Sequence, residues 1–266
     1  VADVNATPAL LFSGFFVATS ALPAWHLTRL AWLGRPPEQG ETPASDGMVW
    51  NPVGNLVAWM VGMAAAAAIG GLLIAVFSIG SFSLLIAETS RVLEPVLQRL
   101  LSSLEKLPAG MTTEDVGRAF VLSMPPALAG WTLLGMALNL WLAARIAVFS
   151  QSMRRPWMSL PENFELPRAI LPAFAASIAL ALIDGLPRVI GVTIAVAIGA
   201  ALALKGLAFI HAATRTMSSR VAILAAVYMT MLVLFPIPAP LLTALGLSTM
   251  LNPRKRPPLP PAANSN

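Results

Sequence analysis

Four polar side chains interrupt the apolar runs of this sequence: Asn139, Asp184, Lys205 and His211. An amide, a carboxylate, an ammonium and an imidazole are the groups from which proton relays and substrate anchors are built in an apolar interior. Lys205 and His211 share the stretch "LALKGLAFIHAATR" (202–215), six residues apart. That spacing sets them roughly 120° apart round a helix, so they do not form one face by themselves. Two readings stand for this pair. Either the helix ends here and both groups reach the headgroups, or they lie at the mouth of a cavity shared with another helix. Length favours the first: with Arg188 at one surface, about 20 residues cross the hydrocarbon core and the far surface falls near Ala208. Lys205 would then snorkel, and Lys205→Met would cost little. Asn139 needs a partner, either as interhelical glue or as a ligand contact. Asp184 and Arg188 are spaced i, i+4 across "DGLPR", which reads as a local ion pair.

No arrangement of these residues is catalytic. The sequence has no GxSxG, HExxH or Walker loop, no Cys, and two histidines, His26 and His211, too few for a zinc site. The expectation is a protein that is not an enzyme and has no cofactor and no metal.

The elements that hold these groups are hydrophobic helices. Hydrophobic residues make up 57% of the chain and charged residues 11%, with a mean hydropathy of +0.75, against roughly 25% charge in soluble domains. The fold class expected is all-α: a polytopic helical membrane bundle of five or six spans with one amphipathic surface helix. The membrane domain is read as 1–252 and a disordered, Pro-rich basic tail as 253–266. The bilayer is the expected partner. Basic residues scattered between apolar runs suit anionic lipid and exclude nucleic acid.

Along the chain, 8–22 is a short apolar run followed by an interfacial girdle of Trp25, Arg29 and Trp32. A polar Pro/Gly loop occupies 34–47. The clearest span is 56–79, with the small-residue run "GMAAAAAIGG" as a helix-contact face. Residues 84–107 alternate at helical spacing between Val92, Leu93, Val96 and Leu97 and the opposed Glu94, Gln98 and Arg99, an amphipathic helix for the bilayer surface or a partner. "TTED" (112–115) has the capping-box form, and Pro125 and Pro126 interrupt the helix it opens before 127–144 cross. After a basic loop at 150–168, spans 169–183 and 189–204 form a hairpin, with Asp184 and Gly185 in the turn and Pro187 at the helix start. Residues 221–235 are the last clear span. "PIPAP" then breaks the helix, and "LLTALGLSTML" returns to or lies in the interface.

With six spans, basic residues divide almost evenly. One side carries Arg91, Arg99, Lys106, Arg118, Arg188, Arg254, Lys255 and Arg256; the other carries Arg29, Arg35, Arg154, Arg155, Arg168, Arg215 and Arg220. That tally leaves the orientation undecided.

Three stretches, "VWNPVGNLVAW" (49–59), "KGLAFIHAATR" (205–215) and "LLTALGLSTMLNPRKR" (241–256), resemble the YybS-like family of bacterial multi-pass membrane proteins, domain of unknown function 2232, in its alphaproteobacterial form. The resemblance covers most of the chain and implies a bacterial inner-membrane location. Members usually carry further apolar helices ahead of residues 9–33, so the resemblance also implies that this chain lacks the N-terminal helices. The family's pattern falls on Gly206, Leu207, Ala208, His211, Gly246 and Leu247, while its following acid is replaced by Ser248 and Thr249. The family has no established activity, and its architecture is similar to the substrate-binding subunits of energy-coupling-factor vitamin transporters. Two functions are therefore expected. The first is a small-solute binding or transport-type bundle with an enclosed polar cavity. The alternative is a membrane scaffold or assembly partner without a substrate, acting on a membrane-protein partner or as a homo-oligomer.

Overall fold

The structure, a computed structural model, describes residues 7–103, 112–156 and 164–252. The tail expected at 253–266 and the last residues of the surface helix expected at 84–107 lie outside the described residues. The described chain is mostly helical: α1 Thr7–Phe16, a π-helical segment Val17–Ala21, α2 Leu22–Ala31, α3 Val53–Ile79, α4 Phe82–Ser103, α5 Thr113–Phe149, α6 Ile170–Ala181, α7 Leu186–Ala213, α8 Arg220–Val233 and α9 Pro238–Leu251. The π segment is flanked by αR residues at both ends, so 7–31 is one composite helix.

Three helices, α3, α5 and α7, are long and apolar enough to cross a membrane. That is fewer than the five or six spans expected, because α6, α8 and α9 have 12, 14 and 14 residues and a helix rises only about 1.5 Å per residue.

Local chemistry sets the ends. Pro52 precedes α3, and Gly80 stops it at φ 106°, a backbone conformation that disfavours any Cβ. Ser81 then accepts from the Leu84 amide at 3.2 Å to start α4. The capping box at the head of α5 forms: the Asp115 amide donates to the Thr112 hydroxyl at 3.2 Å and the Thr112 amide to the Asp115 carboxylate at 2.9 Å. Gly185, at φ 85°, and a proline in the first turn open α7. Pro125 and Pro126 do not interrupt α5, which runs through both. Their fixed φ suits the α region, and in an apolar bundle neighbouring groups can accommodate the freed carbonyls. The loop at 34–47 is more structured than its composition implies, closing as an antiparallel pair with Gly34 opposite Trp50 and Arg35 opposite Val49.

The core joins α2, α3, α5, α6 and α7. Ala64, Ala129, Leu133, Ala197, Ala201 and Leu202 are fully buried in it. The inner face of "GMAAAAAIGG" therefore packs within the chain through Ala64, Ala65 and Ala68. A second cluster, Leu72, Val76, Leu85, Val121 and Val189, brings together the end of α3 and the beginnings of α4, α5 and α7. The bundle thus has two ends. The hairpin end holds the 34–50 hairpin, the start of α3 and the ends of α5 and α7; the cap end holds Gly80, the start of α5 and the 184–185 turn. α4 packs on α5 through its first half, where Ser90 crowds Gly117. Its Val92 and Val96 remain exposed.

A close helix crossing joins α7 and α9. A Cβ on Gly206 would overlap the Leu242 carbonyl oxygen, and one on Gly246 the Leu202 carbonyl oxygen. Small residues at such a crossing let two backbones touch.

Candidate functional site

At the hairpin end the chain does something costly in an apolar environment: it runs without helix through 164–169 beside buried side chains. Phe164 and Leu166 are 6% exposed, and Gly54 at the start of α3 leaves room for the Glu165 carbonyl that any Cβ would strike. Irregular backbone at membrane depth needs its polar groups satisfied by protein. Lys205 supplies one such group, donating its ammonium to the Phe164 carbonyl oxygen while standing 5.7 Å from the Phe164 ring centroid. Arg155, 8% exposed, likewise donates to the Asn51 carbonyl oxygen at 2.9 Å. Burial pulls the Arg155 pKa below its usual value, yet a guanidinium stays charged at neutral pH.

Above this plug lies a cleft of about 760 Å³ between α2, α3, α5 and α7, with Tyr228 of α8 at its margin. Its walls are apolar, from Leu56, Met60, Leu138, Trp141, Leu204 and Leu207 among others. Besides Thr28, three polar groups punctuate them. Arg155 is one. The other two form a pair: His211 Nε2 and the Tyr228 hydroxyl are 2.9 Å apart, with rings 5.9 Å between centroids and tilted by 64°. A few placed polar groups in a largely apolar concavity are the usual make-up of a small-molecule site. The cleft is open on one side and apolar, which differs from the enclosed polar cavity expected for a polar solute.

A wider open depression of about 950 Å³ lies under the hairpin, bordered by Arg35, Glu41, Trp50, Asn51, Asn55 and Trp59. Its polar groups are engaged with one another: Arg35 donates to Glu41 at 2.7 Å, the Asn55 amide to Asn51 at 3.2 Å and the Trp50 indole to Asp46 at 2.9 Å. It has less to offer a ligand than the cleft. His26 stands nearby, packed edge-on against Trp59 with centroids 4.8 Å apart.

The four sequence candidates do not converge. α7 continues to Ala213, eight residues past Lys205, so the helix does not end near Ala208 and the ammonium turns inward to Phe164. His211 is half-buried and lines the cleft. Asn139 is exposed on α5, and no side-chain hydrogen bond from it is seen among the described residues. Asp184 lies at the cap end, 2.8 Å from Arg188, as the spacing implied. Arg155, Phe164 and Tyr228 were not singled out. The signals for them were faint: one arginine of a basic loop, one buried phenylalanine after it, and the sole tyrosine of the sequence. No group of three or more potential metal ligands occurs among the described residues. No family model, curated protein or solved structure matches the chain.

Proposed function

We propose that this protein is a non-enzymatic, bilayer-embedded bundle of the bacterial inner membrane that binds, and in a transport-type cycle releases, a small amphipathic molecule held in the cleft between α2, α3, α5 and α7. The observation that carries this reading is the cleft itself: about 760 Å³ of mainly apolar lining with Arg155, His211 and Tyr228 among its polar groups. Apolar walls take a hydrocarbon or ring portion, while the imidazole, phenol and guanidinium can bond a polar end. Irregular backbone beside the cleft fits the same reading, since broken helices at membrane depth accompany binding sites in transport proteins.

Five crossings are part of this reading. α5 ends at the hairpin end, whereas α7 begins at the cap end beside Leu72 and Val76, so 164–181 must traverse between them. The composite helix 7–31 adds another crossing to α3, α5, α6 with its lead, and α7.

A photoreactive phenylalanine analogue tests the site. Placed at Leu207 in the cleft, it should capture a molecule of one mass from native membranes. At Phe77, 80% exposed on α3, it should capture mixed lipids. Identical adducts from both positions would refute the cleft as a binding site.

The scaffold alternative draws on one observation. Gly62 and Gly70 on the outer face of α3 have no atom within 4 Å of where a Cβ would stand, which leaves a flat helix face for a partner or a second copy.

A further inference from the structure

We propose that α8 and α9 form a re-entrant hairpin, and that the end of the bundle to which they return is a headgroup-binding face seated in the anionic cytoplasmic leaflet. The depth of the hairpin can be read against α7, whose 28 residues have their midpoint beside Gly199. α8 follows α7 at the hairpin end and meets it through Tyr228, which bonds to His211. Its 14 residues rise about 21 Å, short of the roughly 30 Å hydrocarbon core. The chain then turns at 234–237, and α9 begins beside the middle of α7: the Thr243 hydroxyl donates to the Gly199 carbonyl at 2.9 Å. From there α9 climbs in the same direction as α7, with Gly246 against Leu202 and Gly206. The turn therefore lies near the bilayer midplane.

Its side chains agree with that depth. Leu234, Phe235, Ile237 and Leu241 are 48–72% exposed, an apolar tip suited to hydrocarbon and unsuited to a polar surface.

The consequence is electrostatic. If α8 and α9 do not cross, the described chain ends at Asn252 on the hairpin side, and the charge division expected for six spans no longer applies. Among the described residues that end carries the seven arginines from Arg29 to Arg220, against Arg91, Arg99, Arg118 and Arg188 at the cap end. Such an excess faces the cytoplasm, where anionic lipids are enriched. Two of these arginines are presented over aromatic rings at the same end: Arg29 lies 5.8 Å from the Trp25 ring centroid and Arg154 5.9 Å from that of Trp32. Cation–π contact fixes a guanidinium while leaving its edge N–H groups for a phosphate.

The absence of cysteine makes the topology directly testable in the full chain. Single cysteines at exposed Ser152, Ser218 and Asn252 at the hairpin end, and at Ser83 and Glu114 at the cap end, would be treated with a membrane-impermeant maleimide on intact cells. The expected result is labelling of the cap-end pair at once, and of the hairpin-end trio only after permeabilisation. Labelling of Asn252→Cys together with the cap-end pair would overturn the re-entrant hairpin. Immediate labelling of the whole hairpin-end trio, with the cap-end pair protected, would overturn the orientation while leaving the hairpin standing. For the headgroup face, the thermal midpoint in phosphatidylglycerol nanodiscs should exceed that in phosphatidylcholine by several degrees, and Arg29→Gln with Arg154→Gln should remove most of the difference. Equal midpoints for the wild type in the two lipids would overturn the headgroup assignment.

Discussion

Replacing Lys205 by methionine tests how the bundle tolerates irregular chain in an apolar place. Methionine keeps the length and most of the volume of the side chain, so packing changes little, and the main loss is the ammonium that donates to the Phe164 carbonyl. That carbonyl belongs to a segment buried through Phe164 and Leu166, where water cannot readily replace the donor. A hydrogen bond to a charged group contributes about 1.5–3 kcal/mol, and a stranded buried acceptor costs about 1–3 kcal/mol. The expected destabilisation is about 2 kcal/mol, well above the surface-like effect that a snorkelling lysine at a helix end would give. Thermal unfolding in detergent reads it, with Arg168→Met, at an exposed position two residues before α6, as the control. Lys205→Gln restores an N–H donor without the charge and should recover part of the loss. Lys205→Met as stable as the wild type, with Arg168→Met equally silent, would refute the reasoning.

Other perturbations probe the same structure. Gly206→Ala or Gly246→Ala drives a methyl into a carbonyl across the α7–α9 crossing and should cost at least 1–3 kcal/mol, roughly the range for overpacking; Gly62→Ala, facing open space, should be neutral in the same melt. Thr112→Ala removes the hydroxyl half of the α5 capping box and should cost about 1 kcal/mol, seen as faster amide exchange in the first turn of α5. The bond from Arg35 holds the Glu41 carboxyl below its usual pKa. Its stabilising effect is therefore present above the unfolded value near 4.5 and is lost as pH falls through the lower folded value. The protection of the amides paired across Gly34–Trp50, relative to their intrinsic exchange rates, should fall on acidification below that point, and Glu41→Gln should abolish that loss.

The long spans were legible because twenty or so apolar residues leave few alternatives. The start of α5 was legible because its capping box is a local device. α3 begins three residues before the expected Leu56 and ends at the expected Ile79. What was illegible depended on distant partners. α7 runs on through Lys205 and His211 because Phe164, 41 residues away in sequence, and Tyr228, 17 away, engage them. Hydropathy reports that 221–235 is apolar but not that its helix, α8, has only 14 residues. The proline pair in α5 misled for a related reason: a breaker in water is a tolerated residue where no solvent competes for the backbone. The cleft was hidden because its polar groups come from a loop, the end of one helix and the middle of another, with no shared spacing.

The central claim is that the cleft holds a small molecule. Native mass spectrometry of the gently solubilised full chain measures this directly when run beside Ala144→Trp, which adds an indole to the lining of the cleft from a half-buried position. One small adduct is expected on the wild type and its loss from the variant, with both proteins folded by circular dichroism. An adduct retained equally by both, or bare protein in each case, would contradict the claim.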